Sequence, residues 1–393
     1  MKNLLTILFL SLNLTLSASG DIFISGSWEE IKAKAKKENK FILLDCYTDW
    51  CGWCKVMDKE TFKDQAVVDE LTANFICFKR EMEKEEEGRL LALKFHVRYF
   101  PTQLFFSPDG KLISFDEGYS DGPGFLALLK KVKTAGAQNP FPGYTDKINP
   151  GFPGFLTTPT KKGGDKEAVR LQAIDFLDKQ QNLFSESAWT VLCRVNVSVQ
   201  KYDDWVFQNA DTLRYLYGAH TVVAKISSLL YSQVKNAVDK KDPALFRDAI
   251  GKAEKFGGND SRDLIFNLSR NYYAGIQDYP NLVKLIRALI DTSGYGPYAS
   301  FILGTAVFVV EHSTDKDILD STAVWMKNLC AVEHVTINFQ IYAEILYRLE
   351  RYDEAEIQAE KAMDLCLKNK EDTAATEVLL ANIRLKKNSR KKH

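Results

Sequence analysis

The chain has 393 residues and a mass of 44.6 kDa, more than a single domain of usual size requires. Its composition, 45% hydrophobic and 26% charged, is that of a soluble globular protein and excludes disordered, collagen-like and multi-span membrane chains. Lysine plus arginine (52) balances aspartate plus glutamate (52), so no global field attracts polyanions, and we expect no nucleic-acid partner.

The N-terminal residues have the three-part layout of a secretory signal peptide. Lys2 is followed by an apolar stretch at 4–16 and by small residues at 17–19. The apolar stretch is shorter than the roughly 20 residues that span a membrane. We therefore predict a signal peptide at 1–19, cleaved near Ser19, and a secreted, periplasmic location. An uncleaved N-terminal helix is the alternative.

Strand-like and helix-like segments alternate between residues 20 and 135. Ser27 and Glu30 form a capping box for the first helix, and residues 41–47 are apolar on both faces, as is typical of a central strand. The predicted elements are a helix to about 37, strand 41–47, a helix after 51, helix 65–73, strand 75–78, helix 88–96, strands 102–106 and 111–115, and helix 123–132. This order predicts a βαβ unit followed by a ββα unit in an α/β domain.

The rest of the chain predicts a linker and a helical domain. Residues 136–164 hold five of the 11 prolines, which neither a helix nor a central strand accommodates, so they form a linker. Residues 165–393 consist of helix-like segments. Ala343, Ala355 and Ala362 occur where a tetratricopeptide-like helix pair needs small residues. We predict an all-α, helical-repeat-like domain at 165–393, with an irregular helical bundle as the alternative.

The chemistry of the chain is concentrated in a cysteine pair. Cys51 and Cys54 follow the buried strand and open a helix. Unpaired N–H groups and the helix dipole stabilise a thiolate there, so Cys51 is the predicted nucleophile and Cys54, one turn later, the resolving thiol. The other five cysteines are isolated singles, so we expect no metal site. The pattern does not favour a purely structural disulfide, because a bridge across so short a loop removes little entropy from the unfolded chain.

Residues 41–55 and the downstream triplet Phe100-Pro101-Thr102 resemble thioredoxin-fold thiol–disulfide oxidoreductases. Within that group the segment resembles secreted relatives of the C-terminal domain of bacterial thiol–disulfide interchange proteins. The resemblance covers about residues 21–135. It implies an α/β thioredoxin fold and a redox-active Cys51–Cys54 disulfide, and we expect no cofactor.

The resemblance also implies roles for individual residues. Asp45 corresponds to a buried carboxylate that helps to deprotonate the resolving thiol, and burial in an apolar strand raises such a pKa towards neutrality. Lys79 corresponds to the lysine that pairs with this aspartate; a solvated strand-end lysine is the alternative. Pro101 corresponds to a cis-proline, beside which the backbone of Phe100 would pair with an extended substrate segment.

Substrate contact is also assigned to the residues around the cysteines. Gly52 lies between them. An apolar rim could be formed by Trp50, Trp53, Tyr99 and Phe100; packing on the fold is the alternative. Trp53 replaces the proline of thioredoxins, and the dipeptide between the cysteines tunes the reduction potential, which leaves the direction of electron flow open. Asp45 and the sequence Trp50-Cys51-Gly52 resemble those of reductants, which favours reduction.

We therefore expect a thiol–disulfide oxidoreductase that reduces protein disulfides, receives electrons from a membrane-embedded donor and binds a protein partner through its helical domain. An isomerase is a further option within the enzyme class. An interaction protein, in which helical repeats bind a partner and the cysteine pair is only a redox switch, is the alternative from another class. The acidic run at 81–87 predicts a solvated loop face.

Overall fold

The computed structural model describes residues 22–136, 140–158 and 165–390, so the predicted signal peptide lies outside the described residues. The N-terminal part has the predicted α/β architecture. Its elements are α1 (Trp28–Glu38), β1 (Phe41–Tyr47), α2 (Gly52–Lys59), α3 (Gln65–Asn74), β2 (Phe75–Glu81), α4 (Glu86–Lys94), β3 (Thr102–Phe106), β4 (Leu112–Glu117) and α5 (Gly122–Gly136).

Local signals account for most of these boundaries. The capping box at the start of α1 is confirmed, because the Ser27 side chain accepts from the Glu30 backbone and the Glu30 carboxylate accepts from the Ser27 N–H at 2.8 Å. β1 has the predicted limits, and its interior positions are buried. β2 extends three residues beyond its predicted end at 78, to Glu81, because it keeps pairing with β1 along the whole of that strand.

The sheet has the strand order β2-β1-β3-β4, with β1 parallel to β2 and antiparallel to β3, and β3 antiparallel to β4. In this register, Asp45 of β1 stands between Lys79 of β2 and Gln103 of β3. Apolar side chains pack on both sides of the sheet. On one side, Trp28 contacts the rings of Phe78 and Phe106. The other side holds Leu43, Met57, Phe62, Val67, Leu71, Phe105, Phe125 and Leu129.

The chain divides into two compact units, one that ends at Lys225 and one that begins at Ile226. In this division, the helices that follow the α/β part up to residue 225 pack with it. They are α6 (Gly154–Thr157), α7 (Lys166–Asp178), α8 (Glu186–Arg194), α9 (Gln200–Gln208), α10 (Ala210–Tyr217) and the first part of α11 (Ala219–Lys240). The predicted domain limits at 135 and 165 stay a prediction.

The second unit consists of further helices, each packed mainly on its neighbours in the chain. They are α12 (Pro243–Phe256), α13 (Ser261–Gly275), α14 (Tyr279–Ser293), α15 (Ala299–His312), α16 (Lys316–Val332), α17 (Thr336–Arg348), α18 (Tyr352–Asn369) and α19 (Ala374–Arg390). Ala343, Ala355 and Ala362 are fully buried on α17 and α18. The largely helical C-terminal region is thus confirmed. In the ranges described, no helix combines the length and apolar character that crossing a bilayer requires.

Candidate redox site

The cysteine pair lies at the N-terminus of α2. Cys51 is the N-cap residue, and the Cys54 backbone N–H donates to its Sγ at 3.0 Å. The two sulfurs are joined in a disulfide. Cys51 is 3% exposed and Cys54 4%, so little of either sulfur meets solvent in this oxidised state. On reduction, the same N–H group and the helix dipole would stabilise a thiolate on Cys51.

The loop between α4 and β3 brings the predicted cis-proline segment to the cysteine motif. The Phe100–Pro101 peptide bond is cis. The Phe100 ring meets the Trp50 ring edge-on at 5.9 Å, and the Pro101 carbonyl accepts from Gly118 at 2.9 Å. Within the described parts of the chain, the backbone N–H and C=O of Phe100 have no hydrogen-bond partner. These groups are therefore open to an added strand.

Aromatic side chains surround the disulfide and are largely in solvent. Trp50 is 66% exposed, Trp53 60% and Tyr99 66%. Trp53 packs against Tyr119 at 5.1 Å between ring centroids, and the Trp50 indole N–H donates to Glu83 at 2.9 Å. Two of the residues predicted from sequence for substrate contact, Trp50 and Trp53, are thus held by Glu83 and Tyr119, partners that the sequence pattern did not indicate.

The acidic run after β2 is only partly a solvated face. Glu81 is buried, and its carboxylate accepts from the backbone N–H groups of Glu83, at 2.9 Å, and Lys84. The sequence prediction was therefore wrong for Glu81, which closes a turn. That turn leads to Glu83, which anchors Trp50.

A polar group lies inside the sheet beneath the cysteine motif. Asp45 is 2% exposed and accepts from the Gln103 Nε2 at 2.9 Å, while the Lys79 Nζ approaches its other oxygen at 3.1 Å. Lys79 also pairs with Asp58 of α2. The structure therefore joins Asp45 and Lys79, as the resemblance implies, and adds Gln103 and Asp58.

Burial and charge pull the ionisation of this group in opposite directions. Burial raises the pKa of Asp45, and the Lys79 ammonium and the Gln103 amide offset only part of that rise. For Lys79, burial alone would lower the pKa, but the Asp45 and Asp58 carboxylates outweigh it and the pKa is raised. Asp45 is thus displaced towards the range in which a carboxyl group exchanges protons near neutral pH.

Two residues of this polar group, Gln103 and Asp58, are only weakly indicated by the sequence. Gln103 is a lone amide in the apolar run of β3, and it is fully buried. Asp58 lies four residues after Cys54, on the same face of α2. Neither position can be assigned to the site until the strand register and the packing of α2 on the sheet are known.

Two further cysteines, Cys46 in β1 and Cys77 in β2, lie buried in the sheet. Burial raises the pKa of Cys46 well above its ordinary value and raises that of Cys77 as well, which makes both poor nucleophiles. No cluster of histidine, cysteine and acidic side chains suited to a metal ion occurs among the described residues.

Comparisons with known proteins agree with this geometry. A family model described as a thioredoxin-like domain matches residues 28–133. The chain is 34% identical over 103 residues to the thiol:disulfide interchange protein DsbD of Pasteurella multocida. This match covers 25% of this chain and 18% of that protein. The protein of that name from Photorhabdus laumondii is 32% identical over 109 residues, covering 27% and 19%.

A solved structure of a candidate disulphide isomerase from Bacteroides thetaiotaomicron is 37% identical, covering 30% of this chain and 92% of that one, with a TM-score of 0.26. The chain spans about a fifth of the length of the curated relatives it matches. Residues 28–133 thus belong to the thioredoxin-like family. Within it, they are homologous to part of the thiol:disulfide interchange proteins and carry the two-cysteine disulfide.

Proposed function

We propose that the protein is a thiol–disulfide oxidoreductase that reduces disulfides in other proteins. The observation that carries this proposal is the Cys51–Cys54 disulfide at a helix N-terminus, with the buried Asp45 carboxyl beneath the motif and the open backbone of Phe100 beside it. A helix N-terminus activates the attacking thiol, the carboxyl group accepts a proton, and the open backbone holds an extended substrate.

In the proposed reaction, the Cys51 thiolate of the reduced enzyme attacks one sulfur of a substrate disulfide. A Cys51–substrate disulfide forms, and the other substrate sulfur leaves as a thiolate. Cys54 then loses its proton to Asp45 and attacks Cys51, which releases the second substrate thiolate and forms the Cys51–Cys54 disulfide. Two electrons pass from the enzyme dithiol to the substrate, and the products take up protons. The aromatic rim of Trp50, Trp53 and Phe100, with Gly52 between the cysteines, contacts the substrate.

The proposal extends to location and partners. The apolar segment at 4–16 supports export, so the enzyme would act in the periplasm or outside the cell. A reductant in such a compartment needs electrons, and a membrane-embedded dithiol donor would restore the Cys51–Cys54 dithiol. The helices of the second unit offer a surface for a protein partner, as helical arrays commonly do.

The reduction potential of the cysteine pair tests this proposal. The full chain is equilibrated in dithiothreitol or glutathione buffers and the thiols are counted by alkylation, with Cys54→Ser as the control. A potential near about −270 mV supports a reductant, and one near about −120 mV indicates an oxidant. If no reversible two-electron couple appears, or if Cys54→Ser titrates like the parent, the enzyme assignment fails and an adaptor with a redox switch becomes the better description.

A further inference from the structure

The loop that carries Tyr99, Phe100 and Pro101, here called the 95–101 loop, leaves α4 through a defined turn. Val97 N–H donates to the Ala92 carbonyl at 3.0 Å, and His96 N–H donates to the Leu93 carbonyl at 3.4 Å. This is the Schellman pattern, in which the residue after the helix cap has a positive φ. His96 takes that position with φ 58°, where glycine is usual. Because the left-handed conformation costs other residues free energy, surrounding contacts must hold it.

Arg194, the last residue of α8, binds this turn at both ends. Its Nη2 donates to the Ala92 carbonyl and, at 3.0 Å, to the Val97 carbonyl. In the opposite direction, Arg98 of the loop donates to the Cys193 carbonyl. That carbonyl is one of those that a helix C-terminus leaves without an intrahelical partner. The loop and the end of α8 therefore bind each other from both sides.

The rest of α8 is held against α4 and the turn that follows it. Glu186, in its first turn, pairs with Lys94 of α4 at 2.5 Å, and both side chains are buried. The Trp189 ring stacks on Tyr217 at 5.6 Å between centroids and stands edge-on to His96 at 6.3 Å. Arg194 thus projects from a helix that is anchored along its length.

We propose that Arg194 is a positioning residue of the redox site, which holds the 95–101 loop in the shape that an extended substrate pairs with. Phe100, whose backbone is open, lies two residues beyond Arg98, the last anchored residue of the loop. Strand addition depends on a fixed backbone, because each misplaced hydrogen-bonding group weakens the pairing. This inference rests on the proposed function and deepens it. It assigns a role at the site to a helix beyond residue 133, where the thioredoxin-like match ends.

The test compares two substrates, with dithiothreitol supplying the electrons. Insulin needs its disulfides to be presented on a peptide backbone, whereas hydroxyethyl disulfide has no backbone to pair. We expect Arg194→Met to lower kcat/KM for insulin by about tenfold, mainly through KM, and to leave the small disulfide unaffected. Arg194→Lys keeps one donor group and should recover part of the loss.

Arg170→Met is the matched control. Arg170 also donates to a backbone carbonyl, that of Val197 at 3.1 Å, but within the described residues it has no bond to the 95–101 loop. We expect it to reduce both substrates like the parent. If Arg194→Met lacks a cooperative unfolding transition, Arg98→Met replaces it, since the Arg98 side chain is exposed and its loss removes only the reciprocal bond.

The outcomes separate the inference from the function on which it rests. An equal loss on both substrates, or no loss on insulin for Arg194→Met and Arg98→Met, would overturn the positioning role. If the parent reduces neither substrate, the proposed function fails, and the positioning role falls with it. A selective loss on insulin, absent in Arg170→Met, supports both.

Discussion

Two lysine–carboxylate pairs in the first unit, each with a buried carboxylate, differ in how fully their polar atoms are satisfied. Between α4 and α8, the Lys94 Nζ donates to Glu186 at 2.5 Å and to the carbonyls of Thr145 and Lys147 at 2.8 and 3.0 Å, which uses all three of its donors. The other Glu186 oxygen accepts from the N–H and the hydroxyl of Thr145, at 2.8 and 2.7 Å.

The pair beneath the disulfide is less complete. Asp45 has one bond on each oxygen, from Lys79 and Gln103, and the Oε1 of Gln103 has no hydrogen-bond partner although it is buried. The difference shows that burial of charge alone does not mark a reactive group. A pair with every donor and acceptor engaged holds two elements together, whereas one with open capacity can change its protonation state.

Disrupting the Lys94–Glu186 pair should give the largest effect on stability. Glu186→Leu leaves the Lys94 ammonium buried without its carboxylate, and it removes the acceptor of the two Thr145 donors. We expect a loss of about 3–5 kcal/mol in the free energy of unfolding, measured by urea denaturation of the full chain. The reduction potential of the cysteine pair should not change, because the contacts of Asp45 and of the disulfide are untouched.

The control for this variant is the double substitution Lys94→Met with Glu186→Leu. Removing both charges together eliminates the unpaired ammonium, so the double variant should recover much of the stability that the single one loses. A double variant as unstable as Glu186→Leu would show that the space between α4 and α8, and not the unpaired charge, sets the cost.

Removing the carboxylate of the Asp45–Lys79 pair should have the opposite effect on stability. We expect Asp45→Asn to stabilise the protein at pH 7, because it removes a buried carboxylate whose pKa is raised by burial. Between the ordinary pKa of 3.8 and the raised one, the folded state binds more protons than the unfolded state, so the parent loses stability as pH rises. The advantage of Asp45→Asn should therefore vanish below about pH 4.

Unfolding free energies of both proteins from pH 3 to pH 8 check the sign of this effect. The same substitution should slow the release of substrate, since the resolving thiol loses its proton acceptor, and a Cys51–substrate disulfide should accumulate. A variant that is less stable than the parent at pH 7 would mean that the Lys79 pairing outweighs the desolvation of the carboxylate.

Sequence reasoning succeeded where structure depends on neighbouring residues. The capping box at Ser27, the limits of β1 and the placement of Cys51 at a helix start follow from local pattern, and the structure agrees. The partners that distinguish the two lysine–carboxylate pairs could not be predicted in this way. Lys94 and Glu186 are 92 positions apart, and their contact depends on the packing of α8 on α4.

The acidic run and Gln103 illustrate the same limit within the α/β part. Charge pattern predicts solvent for Glu81, but the turn after β2 points its carboxylate at two backbone N–H groups. Gln103 reads as an ordinary strand residue until the register places it opposite Asp45. Contacts of this kind follow from which strands pair, a property of the whole fold.

Substitution of Gln103 should have the smallest effect on stability. It is also the most specific test of how the two lysine–carboxylate pairs differ. Its amide N–H stabilises the ionised form of Asp45 through a bond of 2.9 Å. In Gln103→Met that bond is lost, so the pKa of Asp45 should rise further and the acidic limb of the pH–rate profile should move to higher pH. Stability should change by less than about 1 kcal/mol, because the unpartnered Oε1 is removed together with the bond.

Leu104→Met is the control, since it makes a comparable change at the next position of β3, which pairs with Leu44 and not with Asp45. Its pH–rate profile should match that of the parent. If the limb of Gln103→Met stays in place, the amide only fills space in the sheet, and burial and Lys79 set the pKa of Asp45 without it. If the limb moves while stability is kept, the open hydrogen-bond capacity of this pair is what separates it from Lys94 and Glu186.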